Sequence, residues 1–300
     1  MIHIKVPATT ANMGPGFDCI GMALKLYNNL WVEENDEDLI IINKNPNVTI
    51  PTSRNNLIYR SIFRFYKELG IKKRIPGLKL TQSDDIPLTR GLGSSAACIV
   101  SGLLAANIIS GVNMPREELC TLAAKIEEHP DNSTPALVGG VVIGAYSGGK
   151  LEYIKLKTDK LKELKFAAMI PDFPLPTKQA REVLPKQITM TDAVYNISRS
   201  ALMTAALLQG DFSKLNIAMD DRLHQNYRMN LIPGMEQIFS KARKFGAKGV
   251  FLSGAGPTVI AIYQDGGFPD SMRQALKSLP NKWECLEIEP DYEGAKVEIT

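Results

Sequence analysis

The chain has 300 residues, of which 44% are hydrophobic and 22% charged, and this suits one large or two medium domains with a sizeable core. The 35 basic and 32 acidic residues give a net charge of only +3 with no block of like charge, which argues against a nucleic-acid or membrane surface. The N-terminus reads as a strand instead of a signal peptide, and no apolar run approaches the ~18 residues of a membrane span. Because the four cysteines are scattered, we expect free thiols and a cytoplasmic enzyme or binding protein.

The first part of the chain is predicted to contain strands and one capped helix. Alternating apolar and polar residues, together with short apolar runs, predict strands at 2–6, 30–33, 39–42 and 78–80. An acidic turn should join the second and third of these strands as a hairpin. Asn55 or Asn56 would cap the helix that follows, and Gly70 would end it.

Residues 7–18 are expected to form a glycine-containing loop at the end of the first strand. Asn12 and Asp18 are its strongest polar side chains, so they are candidates for contact with a ligand. An Asx-stabilised turn without any ligand is the structural alternative.

The stretch at 87–97 has the composition of a phosphate-binding loop. Gly91 and Gly93 permit a sharp turn close to an anion, and an apolar run of helical period follows Ser94 and Ser95 and ends near Gly111. Unpaired N–H groups and the macrodipole favour phosphate at the start of such a helix. An ordinary turn before a helix is the structural alternative. The candidate nucleotide-binding residues are Pro87, Leu88, Thr89, Arg90, Gly91, Leu92, Gly93, Ser94, Ser95, Ala96 and Ala97.

Two better-known phosphate motifs are matched only in part. Gly91, Gly93 and Ala96 fit the G-x-G-x-x-A pattern of dinucleotide-binding proteins, but no strand precedes them and no acidic residue follows at the required distance. Residues 144–150 fit G-x-x-x-x-G-K, but Leu151 stands where a P-loop needs Ser or Thr. We therefore interpret Lys150 as an ordinary hairpin residue.

The segment at 127–132 is unusually dense in polar side chains. It reads Glu-Glu-His-Pro-Asp-Asn and follows a helix predicted to start at Pro115. A solvated helix end is the structural alternative. A magnesium-nucleotide site needs a carboxylate near its phosphate loop, and one of these acids could supply it.

The remainder of the chain alternates strands with helices. Strands are predicted at 137–146, 150–156, 166–170, 248–253, 258–263 and 283–289. Helices are predicted at 191–208, 233–245 and 271–279, with a short helix around Arg181. A lysine-rich span at 158–165 suggests a domain boundary, and a second glycine-rich turn at 253–258 could close over the first. The pattern predicts an α+β sandwich with helices on one face.

Three stretches together resemble the motifs of one kinase superfamily. They are Pro-Ala-Thr-Thr-Ala-Asn-Met-Gly-Pro-Gly-Phe-Asp at 7–18, Gly-Leu-Gly-Ser-Ser-Ala-Ala at 91–97, and the segment at 250–258. Their order and their amino-acid sequences are similar to those of the motifs of the GHMP kinases, named for galactokinase, homoserine kinase, mevalonate kinase and phosphomevalonate kinase. With His-Pro-Asp-Asn at 129–132, the likeness is strongest to the homoserine kinase subgroup and covers nearly the whole chain.

The resemblance implies a two-domain GHMP kinase fold. An N-terminal nucleotide-binding α+β domain would span 1–160 and a C-terminal ferredoxin-like α/β sandwich 161–300, with the active site between them. ATP would lie against the backbone amides of 91–95. The Ser95 hydroxyl and Glu127 would hold Mg²⁺. The subgroup usually has a glycine where this chain has Glu128, which leaves open which acid reaches the metal.

The resemblance also implies the substrate contacts. Asn12, Asp18 and His129 would meet the amino group and reacting end of L-homoserine. Arg181 and Arg222 would bind its carboxylate, for which a guanidinium is well suited.

The implied reaction passes the γ-phosphate of ATP to the side-chain hydroxyl of L-homoserine, on the route to threonine. Asn12, Asp18, Asp131 and Asn132 are the candidate catalytic residues. Mevalonate kinases have an aspartate base near Asp131, whereas homoserine kinases are often described as lacking one. A mevalonate- or phosphomevalonate-type kinase and a catalytically silent sensor are the alternatives. The resemblance leaves a homodimer open.

Overall fold

The computed structural model describes residues 1–46 and 48–299 and contains two β-sheets packed with helices. Numbered along the chain, the strands are β1 (Ile2–Ala11), β2 (Ile20–Asn35), β3 (Leu39–Asn43), β4 (Gly77–Asp84), β5 (Val141–Ser147), β6 (Lys150–Lys155), β7 (Lys165–Pro171), β8 (Gly249–Leu252), β9 (Val259–Tyr263), β10 (Trp283–Ile288) and β11 (Lys296–Ile299). The larger sheet has seven strands in the order β11-β1-β2-β4-β3, and β5 and β6 extend it from β2. The smaller sheet has the order β10-β7-β9-β8.

The helices follow the same numbering. They are α1 (Leu57–Glu68), α2 (Ser94–Ser110), α3 (Arg116–Glu127), α4 (Ser133–Val138), α5 (Thr177–Glu182), α6 (Met190–Gln209), α7 (Leu215–Ala218), α8 (Gln225–Arg228), α9 (Met235–Lys244) and α10 (Phe268–Leu276). Short 3₁₀ segments occur at Asp159–Glu163, Phe212–Lys214 and Met229–Leu231. Among the described residues, none of the helices combines the length and apolarity that crossing a bilayer would require.

The antiparallel pair β1–β2 forms the centre of the larger sheet. Ile4 lies opposite Leu30, and Ile2 lies opposite Val32, so the apolar side chains of both strands share a face. β1 continues beyond the bulge at Pro7/Ala8 as far as Ala11, which pairs with Gly21. The loop expected at 7–18 is therefore shorter, because its first residues are buried strand.

Two local predictions for this sheet are wrong. β3 pairs in parallel with β4 and not with β2, so the expected hairpin at 30–42 does not form. The strand expected at 137–146 begins only at Val141, because the residues before it complete α4. In both cases the apolar pattern is real, but long-range packing decides which element it serves.

The helix signals in the first half are confirmed. The Asn56 side chain accepts from the backbone N–H of Ile58 at 2.9 Å and caps α1. α2 ends at Gly111, whose φ of 75° is the left-handed value that glycine adopts without strain. α2 is apolar on most of its surface, as expected for a helix packed between α1 and the sheet.

The predicted α+β class is confirmed, with the change from one sheet to the other falling between β6 and β7. The final strand is an exception to this division. β11 returns to the larger sheet and pairs with β1, with Ile2 opposite Ile299. β11, α4 and α8, each of which has six residues or fewer, were not predicted from the sequence.

Candidate active site

A cavity of about 550 Å³ lies where the larger-sheet half meets the smaller-sheet half. Its lining combines the polar groups at 88–95, the end of α3 and the segment after it, and α5, α8 and the turn after β8. The lining residues predicted from sequence are Asn12, Asp18, Leu88, Thr89, Arg90, Gly91, Leu92, Gly93, Ser94, Ser95, Glu127, His129, Asp131, Asn132 and Arg181. Pro87, Ala96, Ala97 and Arg222 do not line it.

The glycine-rich loop brings the N-terminus of α2 to this cavity. Gly93 has a φ of 70° and occupies the N-cap position, where no side chain accepts from the first turn. A Cβ on Gly93 would lie 1.9 Å from the Thr9 hydroxyl, so only glycine fits here. The first N–H groups of a 17-residue helix are thus left for an anion.

The loop is fixed from the other half of the molecule. The Ser253 hydroxyl donates to the Gly91 carbonyl at 2.6 Å and lies 2.8 Å from the Thr10 hydroxyl. The Arg90 side chain donates to the carbonyls of Pro171 at 2.9 Å and Asp172 at 2.8 Å. The predicted phosphate loop is therefore held by residues of both halves.

Glu127 and Ser95 face the same cavity as this loop. The Glu127 Oε2 is buried and has no hydrogen-bond partner among the described residues. Burial raises the pKa of Glu127 to about 7, and the neighbouring Asp131 carboxylate acts in the same direction. A buried, unpartnered carboxylate oxygen in the same cavity as the Ser95 hydroxyl fits a hard cation such as Mg²⁺. Glu128 is exposed and does not line the cavity.

A bidentate ion pair stands in the part of the cavity formed by the N-terminal loop and α5. Arg181 donates through Nη1 and Nη2 to the two oxygens of Asp18, at 3.1 and 2.8 Å. Asn12 connects this pair to both halves, because its Oδ1 accepts from the Asp18 N–H at 3.0 Å and its Nδ2 donates to the Gly254 carbonyl at 2.9 Å. One carboxylate and one guanidinium are thereby held at fixed positions side by side.

The residues after α3 form a second polar chain. Asp131 is buried, and its Oδ1 lies 2.7 Å from His129 Nδ1 and 3.3 Å from Asn132 Nδ2. The Thr9 hydroxyl donates to Asn132 Oδ1 at 2.8 Å. The hydrogen bond to Asp131 raises the pKa of His129 against the opposing effect of burial, which is the larger single contribution. His129 is therefore oriented by a buried carboxylate.

The position of Arg222 requires a correction to the predicted carboxylate clamp. Its guanidinium is bound by Asp192 at 3.2 Å and lies over the Tyr195 ring, outside the cavity. Arg228, which the sequence analysis did not single out, lines the cavity together with Arg181. Arg228 is buried, and burial lowers its pKa to about 10.

A buried network holds Arg228 in place. Arg228 donates through Nε to the Ala180 carbonyl at 3.0 Å and through Nη1 to the Gly254 carbonyl at 3.0 Å. Nη1 also lies 3.1 Å from Nδ1 of His224, whose Nε2 is 2.8 Å from the Gly14 carbonyl. These contacts require a neutral His224 that accepts at Nδ1 and donates at Nε2. Among the described residues Nη2 of Arg228 has no hydrogen-bond partner, so it can serve a ligand.

Asp221 completes this network. Its carboxylate accepts from the backbone N–H groups of Leu223, His224 and Gln225, at 2.7 to 2.9 Å, and from Asn196 Nδ2 at 2.7 Å. The carboxylate thus fixes the turn that starts α8. His224 is consequently a structural residue beneath the cavity.

Three of the seven described non-glycine residues with left-handed backbone line the cavity. Asn12, Asp18 and Thr89 have φ values of 69°, 56° and 53°, in the left-handed region that non-glycine residues seldom occupy. All three line the cavity. Such strain persists where surrounding contacts over-determine it, which is typical of functional sites.

Eight further lining residues were not predicted from the sequence, and five of them are apolar. They are Thr49, Ile50, Pro51, Asn56, Leu57, Gln82, Cys98 and Ile99. Most of these positions come from a connecting segment and from the inner faces of β4, α1 and α2. No local motif marks such residues, since their neighbourhood depends on how the elements pack.

Comparisons with known proteins agree with this architecture. The family model described as GHMP kinases N terminal domain matches residues 56–140, and GHMP kinases C terminal matches residues 203–282. The homoserine kinases of Caldicellulosiruptor saccharolyticus and Clostridium kluyveri are 46% and 44% identical to this chain, over 99% of it and 96% and 98% of their own lengths. A crystal structure of homoserine kinase from Cytophaga hutchinsonii aligns with a TM-score of 0.85 and 29% identity, covering 99% of this chain and 97% of that one.

The fold, the lining of the cavity and the similarity to known proteins together identify the chain as a small-molecule kinase of the GHMP type. The chain belongs to the GHMP kinase family, among the homoserine kinases.

Proposed function

We propose that this protein transfers the γ-phosphoryl group of ATP to the side-chain hydroxyl of L-homoserine, giving O-phospho-L-homoserine and ADP. The observation that carries the proposal is the Asp18–Arg181 pair in one cavity with the N-terminus of α2. The full-length similarity to homoserine kinases supports the same reaction.

The ion pair is the charge complement of an amino-acid zwitterion. When homoserine enters, Asp18 takes its ammonium group and Arg181 its carboxylate, so each charge keeps a partner of opposite sign. Arg228 adds a second guanidinium for the carboxylate through its available Nη2. Asn12 keeps Asp18 in position, and His129 lies next to the reacting end.

The nucleotide phosphates are assigned to the glycine-rich loop and the adenine to the apolar lining residues, among them Ile50, Leu57 and Ile99. The backbone N–H groups at the start of α2 would bind the phosphates because no side chain of the described residues caps them. Ser95 and Glu127 would hold Mg²⁺, which neutralises phosphate charge during transfer.

The chemical step forms a bond between the substrate oxygen and the γ-phosphorus, breaks the bond to the β-phosphate oxygen and releases the hydroxyl proton to solvent. The residues of this chain contribute chiefly by positioning and by stabilising charge. Asp131 is already engaged by His129 and Asn132, so we assign it to orienting His129. Asn132 in turn is held by Thr9 at the base of the loop.

Release of ADP from magnesium-ATP tests the proposal directly. L-Homoserine should give saturable release, whereas L-serine, mevalonate, phosphomevalonate and galactose should give little. Release with mevalonate or phosphomevalonate alone would retain the nucleotide site and discard the zwitterion site.

We also propose a cytoplasmic location, consistent with four free cysteines, and a domain division at 160/161 with β11 as the exception.

A further inference from the structure

A groove of about 660 Å³ lies beside the catalytic cavity, between the outer face of α1 and the end of α3. Leu57 and Ile126 line both the groove and the cavity, so the two share a wall. Among the described residues, five basic side chains line the groove against one acidic side chain, that of Glu128. The basic residues are Arg54, Arg60, Arg64, Lys67 and Lys125. We call this surface the basic groove.

The positive charge of the chain is concentrated in the segment that forms this groove. Residues 54–74 include seven lysines and arginines and a single acid, Glu68. This surplus of six exceeds the net charge of +3 of the whole chain, so the remainder of the chain is net negative. On α1, Arg60, Arg64 and Lys67 follow one another at spacings of four and three and therefore share one stripe. Like charges so placed repel each other and weaken the helix unless an anion offsets them.

Ion pairs within the protein leave part of this charge unmatched. Arg64 and Lys125 both pair with Glu68, at 2.8 and 2.6 Å. Arg60 and Lys67 are exposed and have no acidic partner among the described residues. The groove therefore offers two unpaired cations, two turns apart on α1, with a third and a fourth that share one carboxylate.

An aromatic ring stands among these cations. Phe63 follows Arg60 by three residues and precedes Lys67 by four, so it belongs to the same stripe. It is 57% exposed, whereas the opposite face of α1 buries Ile58 and Ile62 in the core. The Phe63 ring thus contributes little to the core and is open to a planar ligand group.

We propose that the basic groove binds a nucleoside polyphosphate, as a second nucleotide separate from the one assigned to the catalytic cavity. Arg60, Arg64 and Lys67 would bind the phosphates, because guanidinium and ammonium groups both bind phosphate oxygens well. The base would stack on Phe63, since every base offers a π-face to an aromatic side chain. The volume of the groove lies within the ~300 to 1,000 Å³ of small-molecule sites.

The shared wall gives this second site a regulatory consequence. Lys125 precedes Glu127, the proposed Mg²⁺ ligand, by two residues, and Leu57 and Ile126 separate the groove from the cavity. The basic side chains attract ATP towards the cavity. A polyanion in the groove would neutralise this field and raise the KM for ATP to a limiting value, whereas a competitor inside the cavity would raise it without limit. This coupling rests on the proposed ATP site, but binding in the groove does not.

Isothermal titration calorimetry on the full chain tests the second site. The cavity is first saturated with the ATP analogue AMP-PNP, Mg²⁺ and L-homoserine, and GTP is then added. One equivalent of GTP should bind to the wild type, and Arg60→Gln/Lys67→Gln should bind it about tenfold more weakly or worse. Failure of the homoserine assignment would leave this titration unaffected, because AMP-PNP alone fills the nucleotide site.

The matched control is Lys214→Gln/Lys277→Gln, which removes the same charge from the other half of the molecule. Lys214 and Lys277 are also exposed and lie outside the groove, so this variant should bind GTP as the wild type does. Circular dichroism, and ADP release at saturating ATP without GTP, should show both double variants folded and equally active. No binding of GTP to the wild type up to about 1 mM, or equal weakening in the two double variants, would overturn the site.

Inorganic tripolyphosphate and RNA test the class of ligand. Tripolyphosphate should bind about tenfold more weakly than GTP, because it cannot stack, and Phe63→Ala should remove this difference. Equal affinities of the wild type for GTP and tripolyphosphate would overturn the nucleoside polyphosphate assignment. A polyuridine oligonucleotide that binds about 100-fold more tightly than GTP would overturn it in favour of single-stranded RNA.

Discussion

Arg222 and Arg228 are six positions apart in sequence, yet only Arg228 lines the cavity. Arg228→Lys keeps the charge but loses the planar fork that can bind a carboxylate while donating to Ala180 and Gly254. We expect the KM for homoserine to rise about tenfold or more, equivalent to about 1.4 kcal/mol, with the KM for ATP unchanged. Steady-state kinetics should show less than a twofold effect for Arg222→Lys, the matched control. The reverse ranking of the two variants would contradict the assignment.

Glu127 and Glu128 are adjacent acids with opposite exposure. Glu127→Gln removes the charge of a buried oxygen that has no partner among the described residues, and kcat should fall about 100-fold if that oxygen binds Mg²⁺. Glu128→Gln changes an exposed side chain and should leave kcat within about twofold. ADP-release rates at saturating magnesium, homoserine and ATP would measure both effects. Equal losses in the two variants would refute the choice of Glu127.

The backbone at Glu128 explains why glycine suits that position. Its φ is 71°, in the left-handed region, where it ends α3. Sequence alone leaves the two acids indistinguishable. The fold separates them, because a residue in this conformation turns the chain and places its side chain away from the cavity that Glu127 enters.

At the scale of elements, the glycine-rich loop tolerates no side chain at Gly91. A Cβ there would lie 2.4 Å from the Ser253 carbonyl oxygen, at a φ of 75°. Gly91→Ala should therefore lose about 1 to 2 kcal/mol of unfolding free energy from the left-handed conformation and a further ~1 to 3 from the clash. It should also lower kcat at least tenfold, because the loop must move away from the contacts that fix it.

Gly148→Ala is the control for this substitution. Gly148 lies in the β5–β6 turn with a φ of 59°, but a Cβ there meets nothing within 4 Å. It should show only the conformational loss of about 1 to 2 kcal/mol, with full activity. Thermal unfolding and ADP release, measured on both variants, separate the cost of the left-handed conformation from the cost of the clash at Gly91. Equal losses of activity in the two variants would argue against the close contact at Gly91.

Elements with local signals could be predicted from the sequence, and elements defined by packing could not. Asn56 and Gly111 mark the ends of α1 and α2 because capping chemistry is local. β11 has four residues and exists because β1 offers a free edge, a fact absent from its own sequence. In the site, the loop glycines and Asp18 belong to recognisable motifs, whereas Arg228 gains its position from Gly254 and Ala180.

At the scale of the whole molecule, His224 connects the N-terminal loop to α8 and is neutral in the fold. Burial lowers its pKa, and the donation from Arg228 to Nδ1 occupies the site where a proton would bind. The unfolded chain takes up that proton below its ordinary pKa of about 6.5. Stability should therefore fall as pH drops through this value, by up to about 1.4 kcal/mol per pH unit, until the lower folded-state pKa is reached.

Urea unfolding between pH 8 and 5 would measure this dependence. His224→Gln cannot titrate and can still donate towards the Gly14 carbonyl, so its unfolding free energy should fall less steeply below pH 6.5 than that of the wild type. If the unfolding free energies of the two proteins fall equally with decreasing pH, a group other than His224 controls the loss of stability at acidic pH.

The return of β11 to the larger sheet has a consequence for biosynthesis. During translation β1 leaves the ribosome early, and the strand that covers its edge is made only after the entire second sheet. Until then the edge from Ile2 to Lys5 offers unpaired backbone groups to any neighbouring nascent chain. A polypeptide released before β11 is made would keep its nucleotide loop, but the edge of β1 would stay unpaired and prone to aggregation.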